Sequence, residues 1–161
     1  MIFRFTNEAQ KRLKTGKLPQ VDESIVKIDE WYVTVFYVQR VKYILTTNAE
    51  TLYSVVSFGK GITTDSSYFS IIFEDIFEQM KIDDLEFQYH KVVFPSIEKI
   101  SMAKTNNRSI LGSMNDFLFQ LKYSLEELSI RDASTSINES PMSYINMDYS
   151  INRMRNYKNN N

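Results

Sequence analysis

The chain has 161 residues, a formal net charge of −1, no cysteine and one histidine. Those counts exclude disulfides, thiolate metal sites, cysteine nucleophiles and paired-histidine zinc motifs. At 43% hydrophobic and 14% aromatic residues the length suits one core, no apolar run reaches the roughly 18 residues of a membrane span, and near-neutral charge speaks against wholesale nucleic-acid binding.

Ile2 to Phe5 alternates apolar residues with a charge and reads as a short strand. Thr6 or Asn7 then caps a helix through Lys14, because a short side-chain oxygen accepts a free first-turn N–H. Gly16 and Pro19 stop it. Residues 15–30 form a polar connection interrupted by Ile25-Val26 and Ile28.

Trp31 to Val38 is the strongest strand signal, filled with β-branched and aromatic residues and almost free of charge. Such a run suits a central strand covered on both faces. Gln39-Arg40 makes a two-residue connection to Val41–Thr47, although this pair is not the usual choice for a tight hairpin. A further turn leads to Leu52–Phe58, completing a three-stranded meander. Trp31, Tyr32, Phe36, Tyr37 and Tyr43 read mainly as core rather than as a stacking platform for bases.

The period then changes. Phe69, Ile72, Phe73, Ile76 and Met80 share one helix face within residues 68–81, with Ser66 or Ser67 as the cap. Residues 83–93 suggest a second short helix capped by Asp83 and closed by Pro95. His90 has no orienting partner evident in the sequence and reads as structural or surface. Ile97–Ala103 alternates like a strand. Ile110, Met114, Phe117, Leu121, Leu125 and Leu128 mark the clearest helix, from about Ser109 to Leu128. Gly112 in its first turn costs about 1 kcal/mol relative to alanine unless close packing needs it. From Ile130 the composition turns to Asn and Ser, which suggests an extended packed segment and fraying beyond about Asn152.

The fold expected is α+β: a mostly antiparallel sheet packed by helices at about 68–81 and 109–128, in one domain over 1–130. Residues 131–161 are expected to be a polar C-terminal extension, partly packed and then flexible.

Lys104-Thr105-Asn106-Asn107-Arg108-Ser109 and the following Ile110 to Phe117 resemble a bacterial family known as a domain of unknown function, number 6933. Its members carry a similar Lys-Thr-x-x-Arg-Ser-x-x-Gly-x-x-Asn stretch after a strand. Trp31 matches in the first half and Glu139–Met142 more weakly in the second. The resemblance brings no reaction and points to a site to inspect.

Lys104, Thr105, Asn107, Arg108, Ser109 and Asn115 are accordingly the candidate anion- or partner-binding residues. Arg108 and Ser109 sit at a helix start, where free N–H groups and the dipole favour anions. The structural alternative has Asn106 or Asn107 capping, Arg108 paired with a carboxylate or carbonyls, Gly112 against the sheet and Asn115 on a neighbouring loop. Charge is also uneven: residues 1–20 hold five basic side chains and one acid, and residues 65–88 hold seven acids and one lysine. Surface attraction between such helices is worth about 0–1 kcal/mol per pair.

No catalytic residue, metal or cofactor is expected, and the location expected is cytoplasmic. A non-catalytic binding or protein-interaction module with a protein partner is the leading expectation. The alternative is an anion, nucleotide or nucleic-acid binder, including a small enzyme on phosphorylated substrates, that uses Lys104 to Asn115.

Overall fold

A computed structural model describes residues 1–21 and 27–158. The apolar pair Ile25-Val26 lies outside the described residues.

Strand β1 (Ile2–Phe5) leads into helix α1 (Asn7–Arg12), with Thr6 accepting the N–H of Ala9 as its cap. Strands β2 (Glu30–Val38), β3 (Val41–Asn48) and β4 (Ser54–Phe58) form the antiparallel meander. Helix α2 (Asp65–Ile82) follows. The short helix α3 (Glu86–Gln88) runs into irregular helical turns through Ser96. Strand β5 (Ser101–Lys104) precedes helix α4 (Arg108–Glu127) and helix α5 (Ile130–Asn138). A two-residue pair, β6 (Pro141–Met142) and β7 (Asp148–Tyr149), and helix α6 (Ser150–Arg155) complete the chain.

The five-stranded sheet has the order β4-β3-β2-β1-β5. This places Trp31–Val38 at its centre, as its two-sided apolar composition requires. The sheet is mixed, because β1 runs parallel to both β2 and β5. Both neighbours are reached through crossovers, whereas the antiparallel pairs are joined by short turns. The pairing of Val38 with Val41 leaves only Gln39 and Arg40 for the first hairpin turn. Both adopt positive φ, 46° and 68°. The register therefore imposes the primed-turn geometry on two residues that do not favour it.

Register sorts the side chains into two cores. Phe3, Phe5, Trp31, Val33, Ile44 and Val55 meet the buried face of α2, where Tyr68, Ile72, Ile76 and Met80 are fully covered. On the opposite face Tyr32, Phe36, Leu45 and Val56 meet Ile110, Met114, Phe117 and Leu121 of α4 and Ala133 and Ile137 of α5. Of Trp31, Tyr32, Phe36, Tyr37 and Tyr43, Tyr37 alone is exposed, with the Arg12 guanidinium 5.3 Å over its ring.

Besides the strand expected over Ile97–Ala103, which forms only at Ser101–Lys104 because residues 94–99 turn, three local expectations change. Thr64, not Ser66 or Ser67, caps α2, and Ser67 completes the capping box. Asp83 caps no second helix. It ends α2, and its carboxylate accepts hydrogen bonds from Tyr53, Gln79 and Thr135. This buried site holds the Tyr53 phenol well above its ordinary pKa, chiefly through burial and then through the Asp83 charge.

The third change concerns the Asn- and Ser-rich end. It is helical rather than extended, because its polar groups close the sheet's edge. Asn138 accepts the N–H of Ser54 at 2.8 Å and donates to its carbonyl at 2.8 Å, and Ser134 accepts the N–H of Val56 at 3.0 Å. These side chains supply the partners that an edge strand otherwise lacks.

Candidate functional site

The family-like segment begins where β5 leaves the sheet. Below it lies Arg4, which is fully buried although it is charged. Its Nε donates to Glu30 Oε2 at 3.2 Å and its Nη2 to Oε1 at 3.1 Å. Its Nη1 donates to the carbonyls of Val21 at 2.8 Å and Lys104 at 3.1 Å. A buried ion pair is tolerated only when its remaining donors are used in this way. The bond to the Lys104 carbonyl ties the end of β5 to the neighbouring strands.

Asn106 makes the second anchor. Its Oδ1 accepts the Tyr32 hydroxyl and its Nδ2 donates to Val21 O at 3.3 Å. Burial raises the Tyr32 pKa, and the nearby Arg4 charge works against that rise. Asn107 is the cap of α4, accepting the N–H groups of Ser109 at 2.9 Å and Ile110 at 3.3 Å. The Asn106 and Asn107 amides are thus committed to fixing where α4 starts and how it points.

The remaining candidates separate from these anchors. Lys104 and Thr105 are half-buried, whereas Arg108, Ser109 and Asn115 are exposed. Arg108 makes no hydrogen bond or ion pair among the described residues, so the expected carboxylate or carbonyl partner is not there. The Asn115 side chain likewise has no hydrogen-bond partner among them. Gly112 does not approach the sheet: a Cβ added to it meets nothing within 4 Å. The helix turns all three away from the core that Ile110, Met114 and Phe117 enter.

Arg108, Gly112 and Asn115 continue into a longer stripe. At about 100° per residue, Arg108, Gly112, Asn115, Phe119, Lys122, Tyr123 and Glu126 occupy an arc of about 100°. All seven are exposed. Phe119 is 62% and Tyr123 64% exposed, and their rings meet edge to face at 5.4 Å. Shallow depressions flank the stripe. One is lined by Ser109, Gly112, Asp116 and Tyr144, the other by Phe119, Tyr123, Glu127 and Ser136. Gln39 donates to Glu126 Oε1 at 3.1 Å from the hairpin tip.

Phe119, Tyr123 and Glu126 escape a reading that follows only the inward period. Their signal is a second period of four and three on the opposite side of the same helix. Arg4 and Glu30 are missed because nothing local marks the Ile2–Phe5 strand as buried on both faces.

His90 is exposed, touching the rings of Phe77, Tyr89 and Phe94. Among the described residues no group of three or more His, Asp or Glu is placed to hold a metal ion. Among them also, no helix is long and apolar enough to cross a membrane.

The model of the family described as Domain of unknown function (DUF6933) matches residues 2–153. The chain belongs to DUF6933. The match runs from β1 into α6 and includes both the anchors and the whole outward stripe. No curated protein and no solved structure matches the chain.

Proposed function

We propose that this protein is a non-catalytic binding module that docks a protein partner on the outward face of α4. The observation that carries the reading is the stripe from Arg108 to Glu126, in which Phe119 and Tyr123 stand well over half exposed. Aromatic and arginine side chains on one rigid face are the residues that dominate protein–protein contacts. Gly112 adds to this. Glycine in a helix is unfavourable, and no described residue comes close enough to require it here. The non-catalytic part of the reading rests on the buried polar groups. Arg4, Glu30, Tyr53 and Asp83 are engaged with one another or with the backbone.

The test is photo-crosslinking in cells, with a photoreactive amino acid at Phe119 or Tyr123 and, as control, at the exposed Glu98. Protein adducts at 119 and 123 but not at 98 are expected. No adduct at either α4 position overturns the reading.

An anion-binding reading draws on Arg108, whose side chain has no partner among the described residues. It is opposed by Asp116, Glu126 and Glu127 along the same helix, which repel a phosphate chain. Salt-dependent binding of oligonucleotides or nucleotides that disappears in Arg108→Ala would replace the protein-docking reading.

A further inference from the structure

The outward stripe carries information about what covers it. Positions 108, 112, 115, 119, 122 and 126 recur at four, three, four, three and four. That spacing keeps all six on one face, along which a second helix can lie, with Phe119 as the apolar contact and the rest polar or glycine. Its two ends carry opposite charge, Arg108 at the start and Glu126 and Glu127 at the end.

These two properties make the stripe complementary to itself. Two copies placed antiparallel, with a twofold axis midway between Asn115 and Phe119, bring Arg108 opposite Glu126 of the second copy. The same register sets Gly112 opposite Lys122 and Asn115 opposite Phe119. Every layer is generated twice by the axis, as a twofold interface requires. A parallel arrangement would instead set arginine against arginine and glutamate against glutamate, so charge selects the antiparallel one. The bare backbone at Gly112 also acquires a use. It leaves room for the Lys122 stem of the second copy, one turn from the carboxylate of Asp116.

We infer that α4 pairs with α4 of a second copy of this chain, antiparallel, to form a homodimer. The inference rests on the reading of this face as a protein-docking surface and names the occupant. A single helix pair falls at or below the low end of specific interfaces, about 1,200 Å² in total. The dimer therefore exchanges with monomer rather than being permanent.

Sedimentation of the purified full-length chain over about a hundredfold range of concentration tests this. The expected result is a monomer–dimer equilibrium. Arg108→Glu and Gly112→Trp each weaken it by about tenfold or more, while circular dichroism shows both variants folded. Combining Arg108→Glu with Glu126→Arg restores pairing, since each end of the interface regains an opposite-charge contact.

A wild-type chain that stays monomeric throughout overturns the homodimer, and so does a dimer indifferent to Gly112→Trp. A double variant no better than Arg108→Glu alone overturns the antiparallel register. Crosslinks from Phe119 to a different protein, with the purified chain monomeric, overturn self-pairing and leave the docking surface standing. Absence of any crosslink in cells overturns the docking surface itself.

Discussion

The two faces of α4 are made by one helix and share one backbone, yet they are built to opposite specifications. The inward face places Ile110, Met114, Phe117 and Leu121 at 0–2% exposure against the sheet. The outward face holds Arg108, Gly112, Asn115, Phe119, Lys122, Tyr123 and Glu126 in solvent. The inward period is explained completely by the core it fills. Apart from Gln39 bonding to Glu126, the outward side chains meet no other element among the described residues, and Phe119 and Tyr123 place apolar area in water. The difference teaches that folding accounts for the inward period of a helix and leaves the outward one unexplained.

The comparison breaks most visibly at Leu121. Leu121→Asp buries an unpaired carboxylate and costs more than about 4 kcal/mol, whereas Lys122→Asp stays within about 0.5 kcal/mol. Thermal melts of the two variants that coincide would refute the division between faces. Next in size is Arg4→Met, which leaves Glu30 buried and unpaired and costs about 3–5 kcal/mol. Replacing both members of the pair by apolar residues recovers much of that loss, which denaturant titration measures.

A smaller effect belongs to Asn107→Ala. It removes the cap that starts α4 and costs about 1 kcal/mol, with amide exchange accelerated in the first turn. Gly112→Ala has the opposite sign. In dilute solution it raises stability by up to about 1 kcal/mol, because the new methyl group meets nothing within 4 Å. A fall in melting temperature there would show that Gly112 serves the fold rather than the surface.

Much of the fold is legible in the sequence. The meander was readable from β-branched and aromatic density, and α2 and α4 from their inward periods, because burial of a regular element writes its own repeat into the sequence. The C-terminal segment was not. Asn and Ser are poor helix formers whose usual place is a turn or cap, and Ser134 and Asn138 earn their place in a helix only by bonding to β4. Arg4 was equally opaque, since its partners come from Glu30, Val21 and Lys104. For the candidate site, the sequence pointed to Lys104 through Asn115 but not to the division of labour within it. Asn106 and Asn107 anchor and cap, and Arg108, Gly112 and Asn115 face outward.

The absence of cysteine, the single histidine and the near-zero net charge were determined by the sequence alone, and so were the central aromatic strand and the inward stripe of α4. These depend on composition and on local period, which a chain carries before it folds. Tertiary structure decided which polar groups are used up inside and which remain to meet something else. That choice depends on neighbours distant in the chain: Arg4 is satisfied by a strand 26 residues away, and the Arg108 side chain has no partner among the described residues, on a helix whose other side is full.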